Sequence, residues 1–460
     1  MSSLFNLASA TVGGGHQGRS GYRMQRSVRL RSSASATLTR TPSVDGNRKT
    51  WTWSAWVKRG LLGSAGYLMS CTSQSGNDGI AALYFSSDQL FTYYDTNTAN
   101  PTGAIGPAVY RDPSAWYHIV WAVDAANSIH YIYVNNVLVS TDASKYPVNY
   151  DYAMNRAGYV QNMGTQAWGA ANYFDGYMTE VNFIDGQVLT PSSFGQTDSV
   201  TGVWRAKRYT GTYGTNGFYL NFSDNSAATA AALGKDYSGL GNNWTPNNIS
   251  VTAGVTYDSM IDVPTQWGDG GNGRGNYCVI NSIASAVADT YSQANLKWTK
   301  VSNITNTSAV GSIAISSGKW YWEGTVAAAG GSNLTIGIGD INTNFVSLDS
   351  NLGMTSSTTS YAYNGGSGPY KQNNNTQTSY GATFTTNDVI GVAFDADAGT
   401  LTFYKNNTSQ GTAFTGITGT FTPACGGRFT NDSWYMNFGQ RPFDYTPPTG
   451  FKALNTLNLP

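Results

Sequence analysis

The chain is poor in charge. Of its 460 residues, 11% are Asp, Glu, Lys or Arg, against roughly 25% in an average soluble domain. Aromatic residues make up 13%, and low charge with many aromatics is the reverse of the composition that keeps a chain disordered. The formal net charge is +0, so nothing overall draws the chain to nucleic acid or to an anionic membrane. Three cysteines, Cys71, Cys278 and Cys425, lie far apart with no C-x-x-C. They suggest neither a disulfide framework nor a thiolate zinc site. The histidines are His16, His118 and His130, too few and too scattered for a nucleophile triad or a His-rich metal centre. No apolar run approaches the roughly 20 residues of a membrane helix. The opening MSSLFNLASATVGGGHQG has no basic stretch followed by an apolar core, so no secretory signal is expected.

What is plentiful is Gly (53), Tyr (30) and Trp (13). Short alternating runs recur between Gly, Asn, Asp and Ser: TWTWSAWVKR, WYHIVWAVD, HYIYV, GYMTEVNFIDG, then SGKWYWEGTV, NDVIGVAFD and LTFYKNN. Alternation sends successive side chains to opposite faces of a sheet, which sets Trp51 and Trp53 on one face and Trp56 on the other. The one helix-like patch is SAATAAALGKD, residues 226–236, with Gly234 as its stop. One piece of sheet is written twice. AVDAANSIHYIYVNN (122–136) aligns without a gap on AFDADAGTLTFYKNN (393–407), 271 residues later. Asn tolerates positive φ, so Asn135-Asn136 and Asn406-Asn407 are expected as two-residue hairpin turns. The glycine-rich WGDGGNGRGN (267–276) reads as a boundary. The expectation is all-β: two antiparallel sandwiches in tandem.

Charge is uneven. The first fifty residues hold Arg19, Arg23, Arg26, Arg29, Arg31, Arg40, Arg48 and Lys49 against Asp45 alone, eight minus one, a balance of +7. The readings, in falling order, are a solvated basic edge, a docking surface for an acidic neighbouring protein, and contact with nucleic acid. Residues 1–27 are expected to be an arm, with Arg19, Arg23 and Arg26 as its docking residues.

RTPSVDGNRKTWTWSAWVKRG, AWYHIVWAVD, IYVNN and YFDGYMTEVNFIDG together resemble the laminin-G-like, concanavalin A-like jelly rolls common in bacteriophage structural proteins. LGKDYSGLGNNWTPNNIS through DSMIDVPTQ resembles the segment that follows such a domain. SGKWYWEGTV, IGIGD, NDVIGVAFDADAGTLTFYKNN and WYMNFGQRPF resemble a SPRY domain, itself a concanavalin A-like sandwich. The resemblance covers roughly residues 28–460 and leaves the arm (1–27) unmatched; it implies a laminin-G-like sandwich with an extension (28–267), a linker (268–276) and a SPRY-like sandwich (277–460). It also implies a virion component assembled in the host cytoplasm and exposed on the particle.

Concanavalin A-like folds include glucanases, which resemble one another in a Glu-x-Asp-x-x-Glu strand. That motif is absent, and the two glutamates, Glu180 and Glu323, fall in different expected domains. Retaining hydrolysis needs two carboxyls about 5 to 5.5 Å apart, so no enzyme is expected; a depolymerase using an aspartate pair is the weakest reading. DADAG (395–399) opens like a calcium loop, but its twelfth position is Asn406, where an EF-hand has Glu. A turn is the simpler reading, and calcium has no motif here. No phosphate-binding loop is present, and no cofactor is expected.

The remaining chemistry is aromatic. Sugars offer apolar ring faces and polar edges, which suit Tyr and Trp beside Asn. Two loops fit: TQAWGAANYFDG, with Trp168 and Tyr173, and YAYNGGSGPYKQNNN, with Tyr361, Tyr363, Tyr370 and Asn373. A shallow site binding near 1 mM is worth only about −4 kcal/mol, so a binder of this kind needs many copies. The expected function is a non-enzymatic tail fibre or appendage adhesin for host-surface glycans. It would be homo-oligomeric, with a trimer favoured, and held to other virion proteins by the arm. A capsid or vertex decoration without a specific ligand is the alternative.

Overall fold

The computed structural model describes residues 22–72, 80–94, 102–104, 106–141, 148–303, 305–331, 333–346, 350–354 and 357–460. Twelve strands build the first sandwich: β1 (Ser27–Leu30), β2 (Thr37–Arg40), β3 (Thr50–Arg59), β4 (Gly66–Thr72), β5 (Ala81–Ser86), β6 (Gln89–Tyr94), β7 (Thr102–Ala104), β8 (Trp116–Asp124), β9 (Ile129–Val134), β10 (Val137–Thr141), β11 (Val160–Met163) and β12 (Gly176–Asp185). Twelve more build the second: β13 (Lys297–Thr299), β14 (Thr307–Val310), β15 (Lys319–Ala328), β16 (Thr335–Asp340), β17 (Tyr361–Asn364), β18 (Tyr370–Asn373), β19 (Thr376–Ser379), β20 (Val389–Asp395), β21 (Thr400–Lys405), β22 (Thr408–Phe414), β23 (Phe421–Gly427) and β24 (Ser433–Asn437). One sheet of the first sandwich runs β10-β9-β8-β3-β12-β1, and the corresponding sheet of the second runs β22-β21-β20-β15-β24-β13. The facing sheets run β2-β11-β4-β5-β6-β7 and β14-β23-β16-β17-β18-β19. Adding twelve to each label turns one frame into the other; outside the frame, short strands at Phe218–Leu220, Thr245–Asn247 and Ser259–Met260 add to the first sandwich's sheets and one at Thr290–Ser292 to the second's. The meander repeated in sequence is thus one part of a twelve-strand unit repeated whole.

The repeat reaches individual side chains. Trp51 faces Val123 and Trp53 faces Trp121 across β3 and β8; Trp320 faces Phe394 and Trp322 faces Val392 across β15 and β20. The hairpin turns hold Asn135, Asn136, Asn406 and Asn407 at φ of 48°, 68°, 46° and 68°, the left-handed conformation expected of them. The first Asn of each turn also accepts a hydrogen bond on its side-chain oxygen from the neighbouring strand, from His118 N at 2.8 Å and Val389 N at 2.9 Å. That contact explains why Asn stands there and Gly does not. DADAG forms the turn between β20 and β21, and Asp395 pairs with Lys319 Nζ at 2.8 Å.

The helix-like patch at 226–236 is a series of turns. Gly234 is pressed against Trp244: a Cβ there would lie 1.7 Å from the Trp244 carbonyl oxygen. Trp244 N in turn donates to Gly234 O at 2.8 Å. Pinning by a fully buried Trp overrides the helical propensity of the alanines.

Eight of the 13 tryptophans, Trp51, Trp53, Trp121, Trp244, Trp298, Trp320, Trp322 and Trp434, are fully buried. Most of the aromatic wealth is therefore core. As the alternation required, Trp51 and Trp53 enter the first sandwich's core while Trp56 turns outward. The outward face is covered all the same. Phe194, Tyr209, Tyr213 and Tyr219 of the extension pack on part of it. The rest meets the second sandwich, where Trp56, Trp116 and Tyr177 join a cluster containing Cys278, Val279 and Trp298.

Two polar contacts hold this junction. Lys58 Nζ, fully buried on the outward face of β3, donates to Asp262 Oδ2 (2.8 Å), Asn276 Oδ1 (2.7 Å) and Tyr277 O (2.9 Å). Trp116 Nε1 donates to the other Asp262 oxygen at 3.0 Å. Just past the same end of β3, beside Gly60, Gln293, Ala294 and Asn295 all have positive φ. Successive amides in such a run form an anion-binding concavity, and Gln293 N and Ala294 N donate to the Asp175 carboxylate at 3.2 and 2.5 Å. Gly60 fits beneath: a Cβ there would lie 2.6 Å from Ala294 Cα. The glycine-rich run expected as a linker is a closed hairpin, with Trp267 and Arg274 exchanging backbone hydrogen bonds at 3.0 and 2.9 Å.

The basic N-terminal segment also turns inward. Arg29 and Arg31 are buried and both bind Asp258, at 3.0 and 2.8 Å, which corrects the expectation of a solvated edge at those two positions. The partner lies more than 220 residues away in sequence, where local charge counting does not see it. Arg26 Nη1 donates to Ser259 O at 3.0 Å, and Arg23 lies over the Trp267 ring at 5.3 Å. Arg19 lies outside the described residues.

Substituting Lys58→Met should lower stability by about 3–5 kcal/mol, because it strands a buried carboxylate. Lys58→Met with Asp262→Asn should lose clearly less. Urea unfolding of the two variants checks the difference.

Candidate functional site

The antiparallel register of β17 and β18 decides which expected residues meet. Ala362 pairs with Gln372 and Asn364 with Tyr370, so Tyr361 and Asn373 share one end of the hairpin while Tyr370 sits at the other. Tyr361 and Asn373 line a cleft of about 390 Å³ together with Asp340, Asn342, Thr358, Thr359, Asn374, Thr418, Gly419, Thr420 and Phe421. The lining comes from the ends of β16, β17, β18 and β23 and from the loops beside them. Sequence reading missed Asp340 and the threonines because nothing in their own neighbourhoods marks them.

Tyr363 does not belong to the site. It is fully buried, its hydroxyl donates to Ala382 O, and its ring touches Phe384 and Phe403. Residues two apart on a strand share a face, and here that face is the core; Tyr361 reaches the cleft because it ends the strand. Tyr361 packs edge-on against Phe414 and Phe421, with centroids 5.0 and 5.7 Å away. Asn373 Nδ2 donates to Thr358 O (3.0 Å) and Ser360 O (2.9 Å), which fixes the amide and leaves its oxygen as an acceptor. Asp340 Oδ1 accepts from Asn342 N (2.9 Å) and Asn342 Nδ2 (3.0 Å), and Oδ2 from the Thr359 hydroxyl.

On the first sandwich Trp168 joins an aromatic ladder on the outer face of β4, β5 and β6. It stacks on Tyr93 at 5.3 Å and meets Tyr67 edge-on at 5.4 Å; Tyr67 stacks on Tyr84 at 4.5 Å, and Tyr84 on Phe91 at 5.4 Å. The rings lie against one another, so this patch offers mainly ring edges, unlike the recessed polar cleft. Tyr173 is half-buried on the Trp168 loop.

The titratable groups that would flag catalysis are sealed. Glu180 is buried with φ +53° at an irregularity of β12. It accepts hydrogen bonds from Tyr22 and Tyr219 Oη, the latter at 2.8 Å. Burial pushes its carboxyl up to about 7, opposed by those two hydrogen bonds and by Arg208. Glu323 lies on β15, where Ser54 stands in the first sandwich; the residues opposite are Asn437 and Asn182. Asp444 N (2.8 Å), Tyr445 N (2.9 Å) and Tyr321 Oη (3.1 Å) donate to it, and burial again raises it to about 7. His118 is a packed strand residue: Trp204 Nε1 donates to its Nδ1 at 3.0 Å, its Nε2 meets Ser54 Oγ at 2.9 Å, and burial lowers it to about 3. All three cysteines are buried and unbridged. Among the described residues no group of three His, Cys, Asp or Glu could hold a metal ion.

Residues 319–441 match the family model described as SPRY domain, and residues 31–193 the model described as Concanavalin A-like lectin/glucanases superfamily. The second sandwich is a SPRY domain and the first is laminin-G-like. The chain is similar to Ran-binding protein 9 of Homo sapiens, 38% identical over 84 residues, which cover 18% of this chain and 12% of that protein. Ran-binding protein 10 of Danio rerio matches at 38% over 84 residues, 18% of this chain and 14% of that protein. The match thus spans about an eighth of the length of these relatives. Among solved structures, the SPRY domain of human HERC1 has a TM-score of 0.27 and 20% identity, covering 32% of this chain and 91% of that one. A heptameric SAP-like pentraxin from Limulus polyphemus has a TM-score of 0.30 and 17% identity, covering 40% and 92%. Domains of the SPRY and laminin-G-like kinds are typically non-catalytic binding modules. The cleft lies on the SPRY sandwich.

The two glutamates make a pH signature. Folding raises each from the ordinary 4.5 to about 7, so each holds its proton more tightly in the folded chain. Their contribution to stability is whole below about pH 4.5 and falls as the pH rises toward 7. Glu180→Gln or Glu323→Gln should therefore flatten the loss of stability between about pH 5 and 7.5, measured by urea unfolding at both values. Parallel profiles for variant and wild type would contradict the assignment.

Proposed function

We propose that the protein is a non-enzymatic adhesin that binds surface glycans through the cleft of its SPRY sandwich. The observation that carries this reading is the cleft itself: Asp340, Asn373 and Asn374 stand around the half-buried ring of Tyr361, which is backed by the buried Phe421. Fixed hydrogen-bonding groups beside aromatic carbon suit a sugar's polar edge and apolar face. The two carboxyls raised toward neutrality lie in separate sandwiches, buried behind their own hydrogen-bond partners, and among the described residues no acid pair lines the cleft.

In this reading the chain is an appendage of a phage particle, with the N-terminal arm, whose residues 22–27 pack on the sandwiches, toward the particle and the rest of the sandwiches outward. That setting rests on the sequence resemblance of residues 28–267; the vertebrate relatives do not bear on it. A weak single site fits presentation in many copies, where linkage raises avidity by roughly 10² to 10⁴.

The purified chain should be retained on host-surface polysaccharide without releasing reducing ends. Tyr361→Ala should weaken retention about tenfold. Reducing sugar accumulating above background would sink the reading in favour of a depolymerase.

A further inference from the structure

We propose that the cleft takes an uncharged pyranose and turns away glycans carrying carboxylate, sulfate or phosphate. The inference rests on the reading of the cleft as the ligand site and goes beyond it by fixing the ligand's charge class. Among the described residues, Asp340 is the one charged residue in the lining. An anionic sugar would meet a carboxylate with no Lys or Arg beside it, and like charges at contact distance repel strongly where water is thinned.

A cationic ligand fits no better. A Lys or Arg head group needs open carboxylate oxygens, whereas Asp340 already accepts three donors, two from Asn342 on Oδ1 and the Thr359 hydroxyl on Oδ2. One lone-pair direction on Oδ2 is left, enough for a single sugar hydroxyl. The rest of the lining is neutral and supplies both donors and acceptors. The Asn373 oxygen is fixed as an acceptor by the amide's two hydrogen bonds. The exposed Asn374, held in a left-handed turn at φ +50°, carries a full carboxamide. Thr358, Thr418 and Thr420 add hydroxyls. With 26 basic and 26 acidic residues over the chain, net charge by itself draws in no charged partner either.

The test is a glycan array carrying neutral, sialylated, uronic-acid and sulfated glycans, probed with the full-length chain at about 20 mM and about 500 mM NaCl. Neutral glycans should be retained, with signal changing less than about twofold across that salt range. Thr418→Trp, an exposed loop position whose larger side chain occupies the cleft without touching the core, should reduce the signal about tenfold or more. Retention of acidic glycans, weakened by salt and lost in Thr418→Trp, would overturn the charge class while leaving the glycan reading in place. Absence of any glycan signal, or a signal indifferent to Thr418→Trp, would overturn both. So would a basic peptide that competes for the cleft.

Discussion

A lysine buried on the wrong side of a strand governs this molecule. Lys58 stands on the outward face of β3, where a free-standing sandwich would leave it in water. Its charge is met by Asp262 and by Asn276 and Tyr277 at the entry to the second sandwich. A buried cation stays only where its partners are fixed, so the outward face of β3 must be covered, and covered in one register. The apolar packing of Trp56, Trp116 and Tyr177 supplies the area; the ion pair and the Asp175 contact supply the alignment. The two sandwiches are therefore coupled through side chains as well as through the chain that joins them.

Much of this was legible in sequence, and the reasons for the rest are particular. Alternation located the strands, and Asn tolerance of positive φ identified both hairpin turns. The Trp-x-Trp of β3 and β15 belongs to the same repeat but escaped notice, because Trp51 and Trp320 lie 269 residues apart whereas the meanders lie 271 apart. Loops of different length between equivalent strands erase such a period. Arg29 and Arg31 looked like surface because Asp258 is remote in sequence. Of the residues marked by composition, Tyr361 and Asn373 line the cleft, whereas Tyr363 is buried in the core, since the depth of a strand residue is set by tertiary packing. Asp340, Thr418 and Thr420 enter from other loops and had no local signal.

Duplication followed by divergence explains the distribution of chemistry. Both copies keep the tryptophan core, which is the general requirement for closing a sandwich. The first copy has its outer face occupied by the extension and by its sister. The second has its loops free to form a cleft. Glu323 replaces the Ser54 of the first copy, yet backbone amides of the closing segment envelop it, so a group with the proton affinity of an acid catalyst serves to fasten residues 444 and 445. Perturbed carboxyls often mark active sites; here their surroundings show them holding structure.

The most direct measurement is a crystal structure of the full chain with a neutral oligosaccharide bound. The account predicts sugar density against Tyr361, with ring hydroxyls within hydrogen-bond reach of Asp340 and Asn373. Density lying instead along the Trp168 ladder with the cleft empty, or a cleaved sugar clasped between two carboxylates, would contradict it.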